Sequence, residues 1–70
     1  MVPLAMVKSG EVNCIKKIGG KAEMRQFLES LGFVVGGVVT VIAWIGGNVI
    51  VNVKESRVAV SREMADKILV

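Results

Sequence analysis

Histidine and tyrosine are absent from the 70 residues, and proline, cysteine, tryptophan and aspartate each occur once. Without an imidazole, only Asp66, five glutamates and Cys14 could move a proton or hold a metal near neutral pH, so the chain is read as non-enzymatic, with no catalytic, cofactor-binding or metal-binding residue assigned. A lone cysteine excludes an internal disulfide and any paired-cysteine zinc or redox motif, which makes a cytoplasmic location the default. The aromatic count of Phe27, Phe33 and Trp44 is too small for a base-stacking platform, and nine basic against six acidic residues is a mild excess of +3. What the chain has in quantity is apolar surface: 53% of residues are hydrophobic and 21% charged, the balance of a folding chain rather than a disordered one.

The length suits a single domain over residues 1–70, with no linker, repeat or low-complexity tract. One stretch raises a membrane question. Ser30 to Val53 is 24 residues without a charge, and Gly32 and Gly36 give it a GxxxG spacing. Against a spanning helix stand Gly36-Gly37, Gly46-Gly47, Asn48 and Asn52, and half of the stretch is Val, Ile or Thr. These are strand and turn signals, so the stretch reads as paired strands of a soluble domain. Met1 to Val7 lacks the basic start and the cleavage site of a signal peptide.

Glycine divides the chain into elements. Ser9-Gly10 turns into a strand from Glu11 to Ile18, which Gly19-Gly20 ends. Met24, Phe27, Leu28 and Leu31 then fall on one stripe, predicting an amphipathic helix from about Lys21 to Leu31 with Gly32 as its C-terminal cap and Phe33 packed back on Leu28. Val38 to Ile45 and Val49 to Val53 read as a hairpin around Gly46-Gly47-Asn48. Lys54 to Arg57 turns into Val58-Ala59-Val60, Ser61 caps a short helix from Arg62 to Lys67, and Ile68-Leu69-Val70 closes the chain as a last strand. About five short strands with one helix between the first two and a helical turn before the last suggest a mainly β fold, closed into a small barrel that leaves no open edge.

Asn52 and Thr40 set the facing of the hairpin. Val49, Val51 and Val53 are expected inside, as are Val39, Val41, Ala43 and Ile45, leaving Ile42, Trp44 and Ile50 as an outward apolar group. Such a group is a candidate partner site. The commoner outcome in a small barrel is that the strand bends and buries both faces, or that Met1 to Val7 covers the patch.

In order and spacing, these signals resemble one family. Leu4 after Pro3, the turn at Gly10, the strand into Ile15, Gly19-Gly20, Arg25 ahead of Leu28, Leu31-Gly32-Phe33-Val34-Val35-Gly36 and Val39-x-Val41 are similar to the FeoA family. The similarity continues through Gly-Gly-Asn before Val49-Ile50-Val51, Arg57-Val58-Ala59-Val60, Ala65 and Ile68-Leu69-Val70, covering nearly the whole chain. Val35 stands where the family often has Pro, and Gly37 where it often has Thr. The resemblance implies an SH3-like barrel and a role as a cytoplasmic accessory of ferrous iron uptake, with the cytoplasmic part of the FeoB permease as partner and the membrane reached only through that permease. It also implies a rival reading, a repressor-type or nucleic-acid-binding small barrel acting in metal regulation, because metal-dependent repressors carry the same fold as one of their domains.

Arg25 could pair with an acidic partner, and the competing account makes it a capping contact that orients the helix. Lys16, Lys17 and Lys21 cluster around the first Gly-Gly turn, either as a solvated edge or as a steering patch for an acidic or membrane-proximal partner. The partner-binding candidates are therefore Arg25, Ile42, Trp44, Ile50, Lys16 and Lys17. Cys14 reads as a small buried hydrophobe, and the four methionines as packing.

Overall fold

The computed structural model describes residues 1–70. Strands β1 (Val12–Cys14), β2 (Lys17–Ile18), β3 (Val38–Ile45), β4 (Asn48–Val53), β5 (Ser56–Ser61) and β6 (Ile68–Leu69) alternate with helix α1 (Ala22–Ser30) after β2 and the single turn α2 (Arg62–Ala65) after β5. The larger sheet has the order β1-β3-β4-β5 and the smaller pairs β2 with β6, all antiparallel. This is the mainly β, SH3-like arrangement that the sequence implies, with two departures. The hydrogen-bonded ring is not closed, since β5 and β1 are the free edges of the larger sheet. The strand expected from Glu11 to Ile18 is broken in two, because Ile15 bonds to the Gly36-Gly37 turn while Lys16 donates to the Leu69 carbonyl at 2.8 Å. The chain thus changes sheets between adjacent residues.

Buried between these layers is one apolar cluster that includes Leu4, Ile15, Leu28, Phe33, Val39, Val41, Val49, Val51, Val53 and Ile68, all nearly inaccessible to solvent. β4 obeys the expected alternation throughout: Val49, Val51 and Val53 are buried and Asn48, Ile50 and Asn52 are not. Helix α1 covers one side of the core through Leu28. It ends in a Schellman cap, in which the Gly32 amide donates to Glu29 at 2.9 Å, the Phe33 amide to Leu28 at 3.0 Å, and Gly32 takes φ +108°. Ser61 caps α2 as expected, its hydroxyl accepting the Met64 amide at 3.2 Å.

The chain's first residues form a lid edge of the smaller sheet. Val2 and Val70 exchange both backbone hydrogen bonds at 2.9 Å, Pro3 bridges Leu69, and a 3-10 turn over Leu4–Met6 drops Leu4 into the core. Met1 to Val7 therefore lies against β6 and α2, not over the outer face of the hairpin. No helix is long and apolar enough to cross a membrane, and most of the uncharged stretch from Ser30 to Val53 is spent on β3 and β4.

The facing of β3 is corrected beyond Val41. Val41 stands opposite Val51, but Ala43 stands opposite Ile50 and Trp44 opposite Val49, so Ile42 is an extra residue in a β-bulge. The bulge shifts the parity of everything after it. Ala43 and Ile45 leave the inward row, Ile45 is 63% exposed, and Trp44 shares a face with the buried Val49 rather than with Ile50.

Candidate functional site

Helix α1 starts where the small sheet ends. Gly20, at φ +91°, turns the chain out of β2, and the extended Lys21 leads into the first helical turn with Glu23 near its positive end. The Arg25 guanidinium reaches back and donates to the Gly20 carbonyl at 2.7 Å. Arg25 thus ties the helix to the turn before it, the structural one of the two roles considered for this side chain, while remaining exposed to solvent.

The same turn is held from the other side. The Gly19 amide donates to the Lys67 carbonyl at 2.7 Å, placing the α2–β6 connection against Gly20. Two adjoining hollows result between the helices. One, of about 400 Å³, is lined by Lys21, Glu23, Met24, Phe27 and Met64, and the other by Gly20, Lys21, Met24, Glu63 and Lys67. The floor of the first is apolar and flexible, since Met24 and Met64 are half-buried thioethers that repack around whatever meets them, whereas Met24 is the one apolar side chain of the second. Phe27 stands at the rim, 51% exposed. Its place on the helical stripe assigned it to packing, but Leu28 alone of the stripe is fully buried because the nine-residue helix meets the core along a narrow line.

Lys16 and Lys17 are exposed on the strand that feeds this turn, and Lys67 joins Lys21 beside Gly20. Lys67 and Met64 were not among the sequence candidates. Their distance along the chain hides them, and the only signal was the Ser61 cap, which fixes the phase of the turn that carries them.

The remaining candidates lie elsewhere. Ile42 is the bulge residue, Trp44 is on the Val49 face near the end of the hairpin, and Ile50 is partly covered beside Ala43, so the three do not form one outward group. Cys14 is exposed on the edge strand β1, not buried, because its partner Val38 lies on the outer face of the sheet. No three His, Cys, Asp or Glu side chains converge on a point where an ion could be held.

Comparison with known proteins gives a consistent set of likenesses. Residues 2–70 match the FeoA domain family. A Methanocaldococcus jannaschii protein named for Fe(2+) transport, protein A, is 40% identical over 70 residues, covering all of this chain and 85% of that one. The crystal structure of an iron uptake regulatory protein, FeoA, is similar with a TM-score of 0.87 at 28% identity, over 96% of this chain and 89% of that one. A zinc complex of FeoA from Stenotrophomonas maltophilia, described as a procaryotic SH3 domain protein, superposes with a TM-score of 0.83 at 21% identity, over 99% of this chain and 88% of that one.

Proposed function

Because the chain belongs to the FeoA family, an accessory family of ferrous iron transport, we propose that residues 1–70 act as one cytoplasmic docking domain that binds the cytoplasmic part of a FeoB-type ferrous iron permease. The reading is of a binding module without chemistry of its own. It is supported above all by the hollow between α1 and α2, where an exposed Phe27 and two half-buried methionines offer an apolar seat beside Lys21 and Lys67. An exposed aromatic beside an apolar hollow with charge around it is a common feature of protein interfaces. Lys16 and Lys17 add positive charge near a rim where Lys21 and Lys67 are offset by Glu23 and Glu63, and they favour an acidic partner surface. Arg25 serves the site by holding the Gly20 turn in place.

The test is an amide NMR titration of the labelled chain with the cytoplasmic domain of a ferrous iron permease from the same organism. Shifts centred on Lys21, Met24, Phe27 and Met64, lost in Phe27→Ala, are the expected result. Phe27 is half exposed, so this variant keeps its fold and the loss is read as lost contact. A spectrum unmoved by the permease domain overturns the partner, and shifts that persist in Phe27→Ala overturn the surface.

A further inference from the structure

The tip of the β3–β4 hairpin has a composition that folding does not require. A two-residue hairpin loop is ordinarily flanked by strands that alternate apolar with polar residues, yet here Gly46-Gly47 follows four apolar residues in a row, Ile42, Ala43, Trp44 and Ile45. Ile45 is 63% exposed, Trp44 38% and Ile42 37%. The loop faces open space, since a Cβ built on Gly46 or Gly47 would meet nothing within 4 Å. No charge occurs between Val38 and Val53.

We propose that this tip is a membrane-contact element that enters the headgroup region of an anionic phospholipid bilayer end-on, so that Ile45 on one face, the exposed part of Trp44 on the other and the bulge residue Ile42 meet lipid together. Three features favour a bilayer over a protein. The shape is an open hairpin end, and neither hollow of the domain lies there to seat a partner's side chain. Tryptophan carries an apolar body and one polar N–H, the combination that settles at the membrane–water boundary. The exposed area is small: the three side chains together present on the order of 300 Å², against the roughly 800 Å² per partner of a standard protein interface, so two copies meeting tip to tip would not hold.

The charges around the tip agree. The Arg62 amide donates to the Gly47 carbonyl at 3.1 Å, which sets this cation at the base of the loop. The neighbouring Glu63 lines the hollow with Lys21 and Lys67. Lys8 and Glu11 flank Gly10, whose amide bonds to Val41, so they stand farther back and offset each other. With a chain charge of +3, approach to an anionic surface is favoured and the uncharged tip meets no desolvation penalty for a buried ion.

The proposal does not depend on the permease and is tested without it. Trp44 is the only tryptophan, so its emission reports on the tip alone. The full chain is titrated with vesicles of phosphatidylcholine containing phosphatidylglycerol, and with the same vesicles carrying brominated acyl chains. The expected result is a blue shift with the first and quenching with the second, weaker on phosphatidylcholine alone. Ile45→Asp should lower vesicle affinity by about tenfold or more, the loss of one buried aliphatic side chain, with circular dichroism and melting unchanged at so exposed a position. Emission that stays fixed at saturating lipid overturns the proposal, as does undiminished binding by Ile45→Asp. An emission shift that grows with protein concentration in lipid-free buffer also overturns it, assigning the tip to a second copy of the chain.

Discussion

The Leu28 carbonyl accepts the Phe33 amide at 3.0 Å, and both side chains are fully buried, so the end of α1 and the start of the path to β3 are anchored in the core as one unit. Gly32 makes the reversal between them at φ +108°, a conformation that costs an L-residue about 1–2 kcal/mol. Gly32→Ala should therefore lower unfolding stability by about that much in urea titration. A side chain there meets Lys54 and Val53 only at ordinary contact distance, so the loss is conformational and α1 itself persists.

Four residues on, the Val34 to Gly37 turn is closed by the Gly37 amide donating to Val34 at 2.9 Å, with Gly36 at φ +89°. This is the pattern in which proline is favoured at the position of Val35, and Val35 is 66% exposed. Val35→Pro should raise stability by about 0.4–1 kcal/mol by restricting the unfolded chain, measured as a higher urea midpoint at constant slope.

The β4–β5 hairpin turns through Lys54 and Glu55, at φ +48° and +64°, with Val53 opposite Ser56. Both residues occupy a left-handed conformation that Asn-Gly adopts readily. The double substitution Lys54→Asn with Glu55→Gly should stabilise the domain by about 1–2 kcal/mol, read from thermal or chemical unfolding.

Removing the Arg25 contact should loosen a turn more than it destabilises a fold. Arg25→Ala is expected to cost about 0.5–1 kcal/mol, since the bond is exposed, and to speed amide exchange at Gly19 through Ala22. Exchange that stays unchanged there would show that the Lys67 carbonyl holds the turn alone.

If Lys16 and Lys17 steer a permease domain toward the helical hollow, their effect is on encounter. Lys16→Glu with Lys17→Glu should slow association by about tenfold at low salt, with a smaller difference when ionic strength shrinks the screening length to a few ångströms. Stopped-flow mixing measures this directly.

Much of this structure is legible in the residues. The Schellman cap announces itself through Leu28, Gly32 and Phe33, the Ser61 cap through its own side chain, and β4 through its alternation of valine with asparagine. What escapes is governed by parity and by distance along the chain. A bulge such as that at Ile42 carries no residue signature, yet one extra residue turned Trp44 to the Val49 face and undid the outward group of Ile42, Trp44 and Ile50. The hollow between the helices needed Met64 and Lys67 beside Gly20, a meeting created by the pairing of β2 with β6. Phe27 was placed on the packed stripe because periodicity gives a direction but not how far the core extends along it.

The reciprocal pair of hydrogen bonds between Val2 and Val70 has a mechanical meaning. A tension applied to the two ends of the domain loads these bonds one rung at a time, peeling the first residues from β6 before any shear falls on the valine core. Under force the domain should open from its ends like a clasp, and the helical hollow, closed by the Gly19–Lys67 bond just before β6, would feel the load well before the hairpin tip.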